Sequence, residues 1–421
     1  MQAAGRFAHE AALANIAQAL ALLGEDDAAP ARELRWRLLG VRERVLDLRG
    51  QRVEQQADIA ALQVLADAMD DDQRRGEVAW RRSHVALRTA DYRAMEVAAR
   101  QALALAERAG AAELGLRAQQ RLSVALSLLG DPAAGRALAL EGLAASRAQG
   151  YQSVEGLFLN ALWMMAMMQD DLVRSLSMSQ QLLRFQRELG NRQSEATALG
   201  NLGIAWLALG DHAQAQGPLN DALQRYRAMG NRASEAAPLS TLAKLALWQG
   251  DPAMALTHAN AALAITTAVQ DRFLCANALC TIGEAELGLG HDGAAAGAFE
   301  RAQALGEAMG HGIRFEATAG LARVALARGD VGGALTRVDR LLTDMAGGAS
   351  LAGIDTLEVR LTCHHVLARA ADARAAAVLA TAHAELRARA ATITDPALRH
   401  SFMNGVPVHR QIIAAWARVP T

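Results

Sequence analysis

The sequence "GNRQSEA" begins at Gly190 and "GNRASEA" begins at Gly230, forty residues later. Turn signals keep the same spacing along much of the chain: Gly130-Asp131, Asp170-Asp171, Gly210-Asp211, Gly250-Asp251, Gly290-His291 and Gly329-Asp330. A second series falls midway, at Gly110, Gly150, Gly190, Gly230, Gln270 and Gly310. A turn about every twenty residues, with helical periodicity in between, describes antiparallel helix pairs. One pair cannot bury both of its faces, so the pairs must stack into a solenoid. That architecture overrides the two to four domains that 421 residues would otherwise suggest.

The chemistry of a single unit is legible. Gly210 suits the left-handed residue that ends a helix, and Asp211 suits the cap of the next one. In the two "GDP" turns, Pro132 and Pro252 fall at the first helical position, where a missing N–H costs nothing. Leu219, Ala222, Leu223 and Tyr226 form one apolar face, and Leu199, Leu202, Ala205, Trp206 and Leu209 form that of the preceding helix. Extending the period backwards makes second helices of the segments starting at Leu48 and Leu87; extending it forwards makes another from Leu367. The register breaks at Ala346 to Asp355, where glycines lengthen a loop, and again after Ala391. The expected organisation is a helical-repeat solenoid over 1–391 and capping helices over 392–421.

"NLGIAWLALGDHAQAQGPLNDAL" resembles a tetratricopeptide repeat through Leu202, Gly203, Trp206, Gly210, Asp211, Ala215, Leu219 and Ala222. The pitch of forty exceeds the usual thirty-four by about a helical turn. This longer form is similar to the repeat regions of large bacterial signalling ATPases. The tail resembles the closing segment of such proteins at Ile393, Asp395, Pro396, Leu398, Arg399, Phe402, Val406, Pro407, His409 and Arg410. The resemblance implies an all-α, right-handed superhelical solenoid of about nine antiparallel helix pairs with a C-terminal helical cap. In that cap Asp395 starts a helix, Pro407 ends the segment, and a last helix presents Ile412, Ile413 and Trp416.

Several functions are argued against. A P-loop needs a glycine-rich loop followed by lysine, and the only lysine, Lys244, stands in "STLAKLAL". The "CHH" at Cys363 to His365 has no second ligand pair at zinc spacing; Cys363, Cys275 and Cys280 read as core thiols. Asp70 to Asp72 read as a solvated helix end, and no nucleophile–base arrangement stands out. No catalytic activity, cofactor or metal is expected. A net charge of -1 leaves no basic face for nucleic acid. No apolar stretch is long enough for a membrane, no signal peptide is expected from the N-terminal pattern, and three irregular cysteines fit a reducing cytoplasm.

In tetratricopeptide arrays the first helix of each pair lines the concave surface. Residues two, three and six before the turn are expected to face the groove. They are Leu128, Ser127 and Val124 before Gly130; Met168, Met167 and Met164 before Asp170; Ala208, Leu207 and Ile204 before Gly210; and Trp248, Leu247 and Lys244 before Gly250. Asn160 adds a polar contact, while Trp163 and Ala166 should pack between helices. The methionines have two readings: core of a tight superhelix, or an adaptable apolar surface for a partner. A copper site lacks histidine or cysteine nearby. The Lys, Arg and Asn clamp that holds a terminal carboxylate in some tetratricopeptide proteins has only Lys244 and Asn160 as counterparts. The resemblance implies the sensor arm of a bacterial signalling regulator, with an ATPase, cyclase or DNA-binding domain upstream. The expected ligand is a protein, a peptide or a small effector. A free-standing adaptor is the rival reading.

Overall fold

The computed structural model of the chain describes residues 2–24, 26–347 and 354–418, with side chains from His9 onward. Twenty-one α-helices and one short 3-10 turn, Ala233–Glu235, form the described residues, with no strand among them. A leading helix, α1 (Gln2–Leu23), precedes nine pairs. These are α2 (Ala29–Arg49) with α3 (Arg52–Ala68), α4 (Asp72–Arg88) with α5 (Tyr92–Ala109), and α6 (Ala112–Leu128) with α7 (Pro132–Ala148). Next come α8 (Gln152–Met168) with α9 (Leu172–Glu188), α10 (Arg192–Ala208) with α11 (His212–Ala228), and α12 (Ala236–Trp248) with α13 (Pro252–Ala268). The last are α14 (Arg272–Gly288) with α15 (Asp292–Met309), α16 (Ile313–Ala327) with α17 (Val331–Ala346), and α18 (Thr356–Arg369) with α19 (Arg374–Thr392). Two shorter helices, α20 (Pro396–Gly405) and α21 (Pro407–Trp416), close the chain. Most of the glycine-rich loop expected between Ala346 and Asp355 lies outside the described residues.

The helix ends follow the expected chemistry. Asp131, Asp171, Asp211 and Asp251 each accept a hydrogen bond from the backbone N–H three residues on, at 2.9–3.1 Å. Asn191 and Asn231 do the same. The left-handed turn conformation recurs about every twenty residues even where glycine is missing: Asp70, Ala90, Asp170, Gln270 and Ala371 all have φ near +50°. A non-glycine residue there costs roughly 1–2 kcal/mol, so packing of the pairs, not turn preference, dictates the geometry.

From α4 to α18, each first helix also packs against the first helix of the next pair, which puts the first helices on the inside of the curve. Ala205, Leu219, Ala222, Leu223 and Tyr226 are buried as the pattern requires, while Leu202 and Trp206 are only half-buried.

The superhelix closes on itself. Arg52, buried, donates from Nε to the Val269 carbonyl at 3.1 Å, across 217 residues of sequence. Gly50 is pressed so tightly against Val269 that a Cβ there would fall 2.0 Å from Val269 Cγ1. Farther along, a Cβ on Gly405 would fall 2.1 Å from the Gly210 carbonyl oxygen. Arg389 pairs with Asp170 at 3.3 Å. Repeats five to six units apart therefore touch, and successive turns of the superhelix stack directly.

The tail is part of this closure. Asp395 caps α20 through the Ala397 and Leu398 N–H groups at 2.8 and 3.1 Å. Pro407 starts α21 instead of ending the segment, because the first helical position needs no N–H. Phe402 and Ile412 join one apolar cluster with Leu361, Leu379 and Leu386 of the last pair and with Leu172, Leu176, Ala205 and Leu209 of the middle pairs. The hairpin thus caps the end of the array and also wedges into its middle.

A charged chamber on the concave face

The inward faces of α12, α14, α16 and α18 converge with α21 around a cavity of about 280 Å³. The repeat sets which residues reach it. Lys244, Glu284, Arg323 and His365 each stand six residues before their turn, while Asn277, Glu316 and Glu358 stand thirteen before theirs. About two helical turns each of α14, α16 and α18 therefore contribute to one wall. Leu247, Trp248, Pro407 and Val408 supply apolar surface.

Arg323 is the hub. Its guanidinium donates to Glu358 at 2.8 Å and to Glu284, while its Nε is buried without a partner among the described residues. Glu316 accepts a hydrogen bond from the Asp355 backbone N–H at 2.7 Å and has no cation at ion-pair distance among those residues. The Lys244 ammonium lies 5.3 Å from the Trp248 ring centre. Burial, with repulsion from neighbouring carboxylates, pushes both Glu284 and Glu316 up to about 7. Burial opposes ionisation of Glu358 as well, but Arg323 and Lys244 hold it below the usual range. Burial favours neutral Lys244, yet the field of Asp355, Glu358, Glu316 and Glu284 raises it further.

A stability prediction follows from Glu316. Between its ordinary value of 4.5 and about 7, the folded chain keeps a proton that the unfolded chain has lost. Its favourable contribution is complete below the lower value and is lost as pH rises through the upper one. Glu316→Gln stays neutral throughout and still accepts the Asp355 N–H. It is expected to melt roughly 2–4 °C above wild type at pH 8 and level with it at pH 5. Thermal melts at the two pH values check this, and a variant that melts lower at pH 8 contradicts it.

Of the groove residues expected from sequence, Lys244, Leu247 and Trp248 line the chamber. The others lie elsewhere along the array. Asn160 is half-buried and accepts a hydrogen bond from Asn201 Nδ2 at 2.7 Å. Met164 packs against the core of α4–α11, and Met167 against the cluster that holds the C-terminal hairpin. Met168 and Ile204 are half-buried. Leu207 departs from the expectation: it is 4 % exposed, in an apolar core with Leu219, Leu223, Leu239 and Leu242. Three residues before that turn, the helix leans on its neighbours and not on the groove. Ala166 is buried and Trp163 half-buried, with its ring N–H unpaired among the described residues. Cys363 is fully buried, and His364 bonds the Ala375 carbonyl at 3.0 Å.

Glu284, Arg323, Glu316 and Glu358 were not singled out from sequence. The signal was present for the first two, since the six-before-the-turn position, carried on to Gly290 and Gly329, lands on them. Glu316 and Glu358 lie a further two helical turns towards the N-terminus of their helices, beyond that rule.

No family model matches the chain, and no curated protein matches its sequence. Solved structures do match its fold. A Rap protein complexed with competence and sporulation factor is 15% identical, with a TM-score of 0.52 over 79% of this chain and 98% of that one. NprR in complex with its cognate peptide NprX is 14% identical, with a TM-score of 0.52 over 81% and 99%. A signal transduction ATPase with a tetratricopeptide repeat sensor, from Pyrococcus horikoshii, is 13% identical, with a TM-score of 0.51. That match covers 80% of this chain, which spans about half of the ATPase, 54%. With its stacked helix pairs, inward-facing first helices and these structural neighbours, the chain has the fold of a tetratricopeptide-type helical-repeat solenoid.

Proposed function

We propose that this chain is a non-catalytic interaction arm of a bacterial, cytoplasmic signalling regulator that receives a peptide, protein or small effector on its concave face. The observation that carries the reading is the chamber itself. Charged side chains are held half-buried at repeat-equivalent positions, lining one cavity. Burying charge is costly, and the same two positions on α10 hold the uncharged Thr197 and Ile204. The similar folds of a Rap protein with a bound factor, NprR with its peptide and an ATPase with a repeat sensor support the same reading. In such a regulator the arm would act on an attached ATPase, cyclase or DNA-binding domain.

The test is selection of a randomised heptapeptide display library on the immobilised full chain. Selected peptides are expected to bind the wild type and to lose about ten-fold in affinity on Trp248→Ala, because a large aromatic contact disappears. No enrichment, or binding indifferent to Trp248, Lys244 and Leu247, would remove the peptide reading.

A further inference from the structure

The chamber's charge balance says more about what it accepts. Four carboxylates, Glu284, Glu316, Glu358 and Asp355, act on it, against two cations, Lys244 and Arg323. Arg323 is committed to Glu284 and Glu358. Lys244 makes no hydrogen bond or ion pair among the described residues, and its charge is held by the field of all four carboxylates. An incoming anion at Lys244 would meet that same field. An incoming cation would meet Glu316, whose carboxylate has one neutral N–H donor and no contacting cation. A second observation is independent of the acidic groups. Thr362 is 3 % exposed and lines the cavity, and its hydroxyl has no hydrogen-bond partner among the described residues. On α14 the equivalent residue, Thr281, donates to the Asn277 carbonyl at 3.1 Å. Thr362 is therefore a nearly buried side chain whose hydroxyl is left free to accept from a ligand in the cavity.

We propose that the chamber between α12, α14, α16, α18 and α21 binds an organic cation, an alkylammonium or guanidinium group, through Glu316 and the Thr362 hydroxyl. The proposal rests on the reading of the concave face as a ligand-binding surface and names the chemistry of that ligand. A metal ion fits less well, because no group of three or more metal-holding side chains gathers among the described residues, and Arg323 already occupies two of the carboxylates. Pro407 and Val408 of α21 offer an apolar wall for the alkyl stem of the cation. The volume, at the small end of the range for ligand pockets, admits a side chain or a short amine. Burial and repulsion keep Glu284 and Glu316 at about 7, so an arriving cation completes their ionisation.

The cation has two sources, a free amine or a basic side chain of a peptide. Isothermal titration calorimetry on the full chain at pH 7.5 separates them, using putrescine, agmatine, the capped peptide acetyl-Gly-Arg-Gly-amide, and glutarate as the anionic control. Agmatine or putrescine binding indicates a free amine; binding of the capped peptide alone indicates a side chain. In either case affinity is expected to fall about ten-fold in Glu316→Gln and in Thr362→Val, through loss of charge-assisted and hydroxyl hydrogen bonds. Far-UV circular dichroism confirms that both variants are folded. The proposal is overturned if none of the three cations binds at millimolar concentration, if glutarate binds more tightly than they do, or if Glu316→Gln leaves their affinity unchanged. If library peptides bind in a Trp248-dependent way while all three cations fail, the cation site falls and the concave-face reading stands. If agmatine binds and no peptide is selected, the cation site stands and the peptide reading falls.

Discussion

Removing residues 395–421 is expected to destabilise the whole solenoid and not only its last repeat. Phe402, Val406 and Ile412 are nearly fully buried. Each contributes roughly 1.5–3 kcal/mol by leaving water, so the loss is on the order of 5 kcal/mol. Two surfaces are uncovered at once. One is the face of α18 and α19 carrying Leu361, Leu379 and Leu386; the other is the middle of the array around Met167, Leu202 and Trp206. The truncated chain should melt well below the full chain and associate at micromolar concentration, read by thermal denaturation and light scattering. A truncated chain that remains monomeric with an unchanged melting curve would show that the hairpin is an ornament. Gly405→Val offers a milder version, since its Cβ would collide with the Gly210 backbone and lift the hairpin without removing it.

Arg323→Met is expected to cost about 3 kcal/mol, measured by chemical denaturation at pH 7.5. Glu284 and Glu358 would be left facing each other without their shared cation, and breaking a buried pair from one side typically costs about 3–5 kcal/mol. Arg323 and its partners are partly reached by solvent, which places the cost at the low end. The loss should shrink as pH falls, because the orphaned carboxylates can then take up protons. Adding Glu284→Gln and Glu358→Gln to Arg323→Met should recover most of the stability. If the single variant is as stable as wild type at pH 7.5, Arg323 is not the hub of the chamber.

The helix pairs were legible because each one is specified locally. A cap, a turn residue and an apolar stripe all fall within forty residues, and Asp170 and Gln270 could be placed as turns by spacing alone, without the usual glycine. Lys244, Leu247 and Trp248 were legible for the same reason: register carries them from one repeat to the next. The docking of α20 and α21 into the middle of the array was not. Which distant repeat a tail meets depends on small rotations summed over five or six pairs, and no residue encodes that sum. Leu207 failed for a related reason, since the position that faces the groove in one repeat is packed under its neighbours in another. The methionines of α8 differ in burial within one helix. Met165 is core, while Met164, Met167 and Met168 remain half-buried.

The contact between Gly50 and Val269 also bears on how such a chain can change over time. Arrays whose coils stand apart can gain or lose a unit by duplication or deletion, because each unit answers only to its neighbours. Here an extra forty residues anywhere between Gly50 and Val269 would carry Val269 around by one unit of rotation and leave Arg52 without the Val269 carbonyl. The same holds between Gly210 and Gly405. Copy number in this molecule is therefore locked by its closure. The closure leaves room for substitutions within units and for insertions at the outer turns.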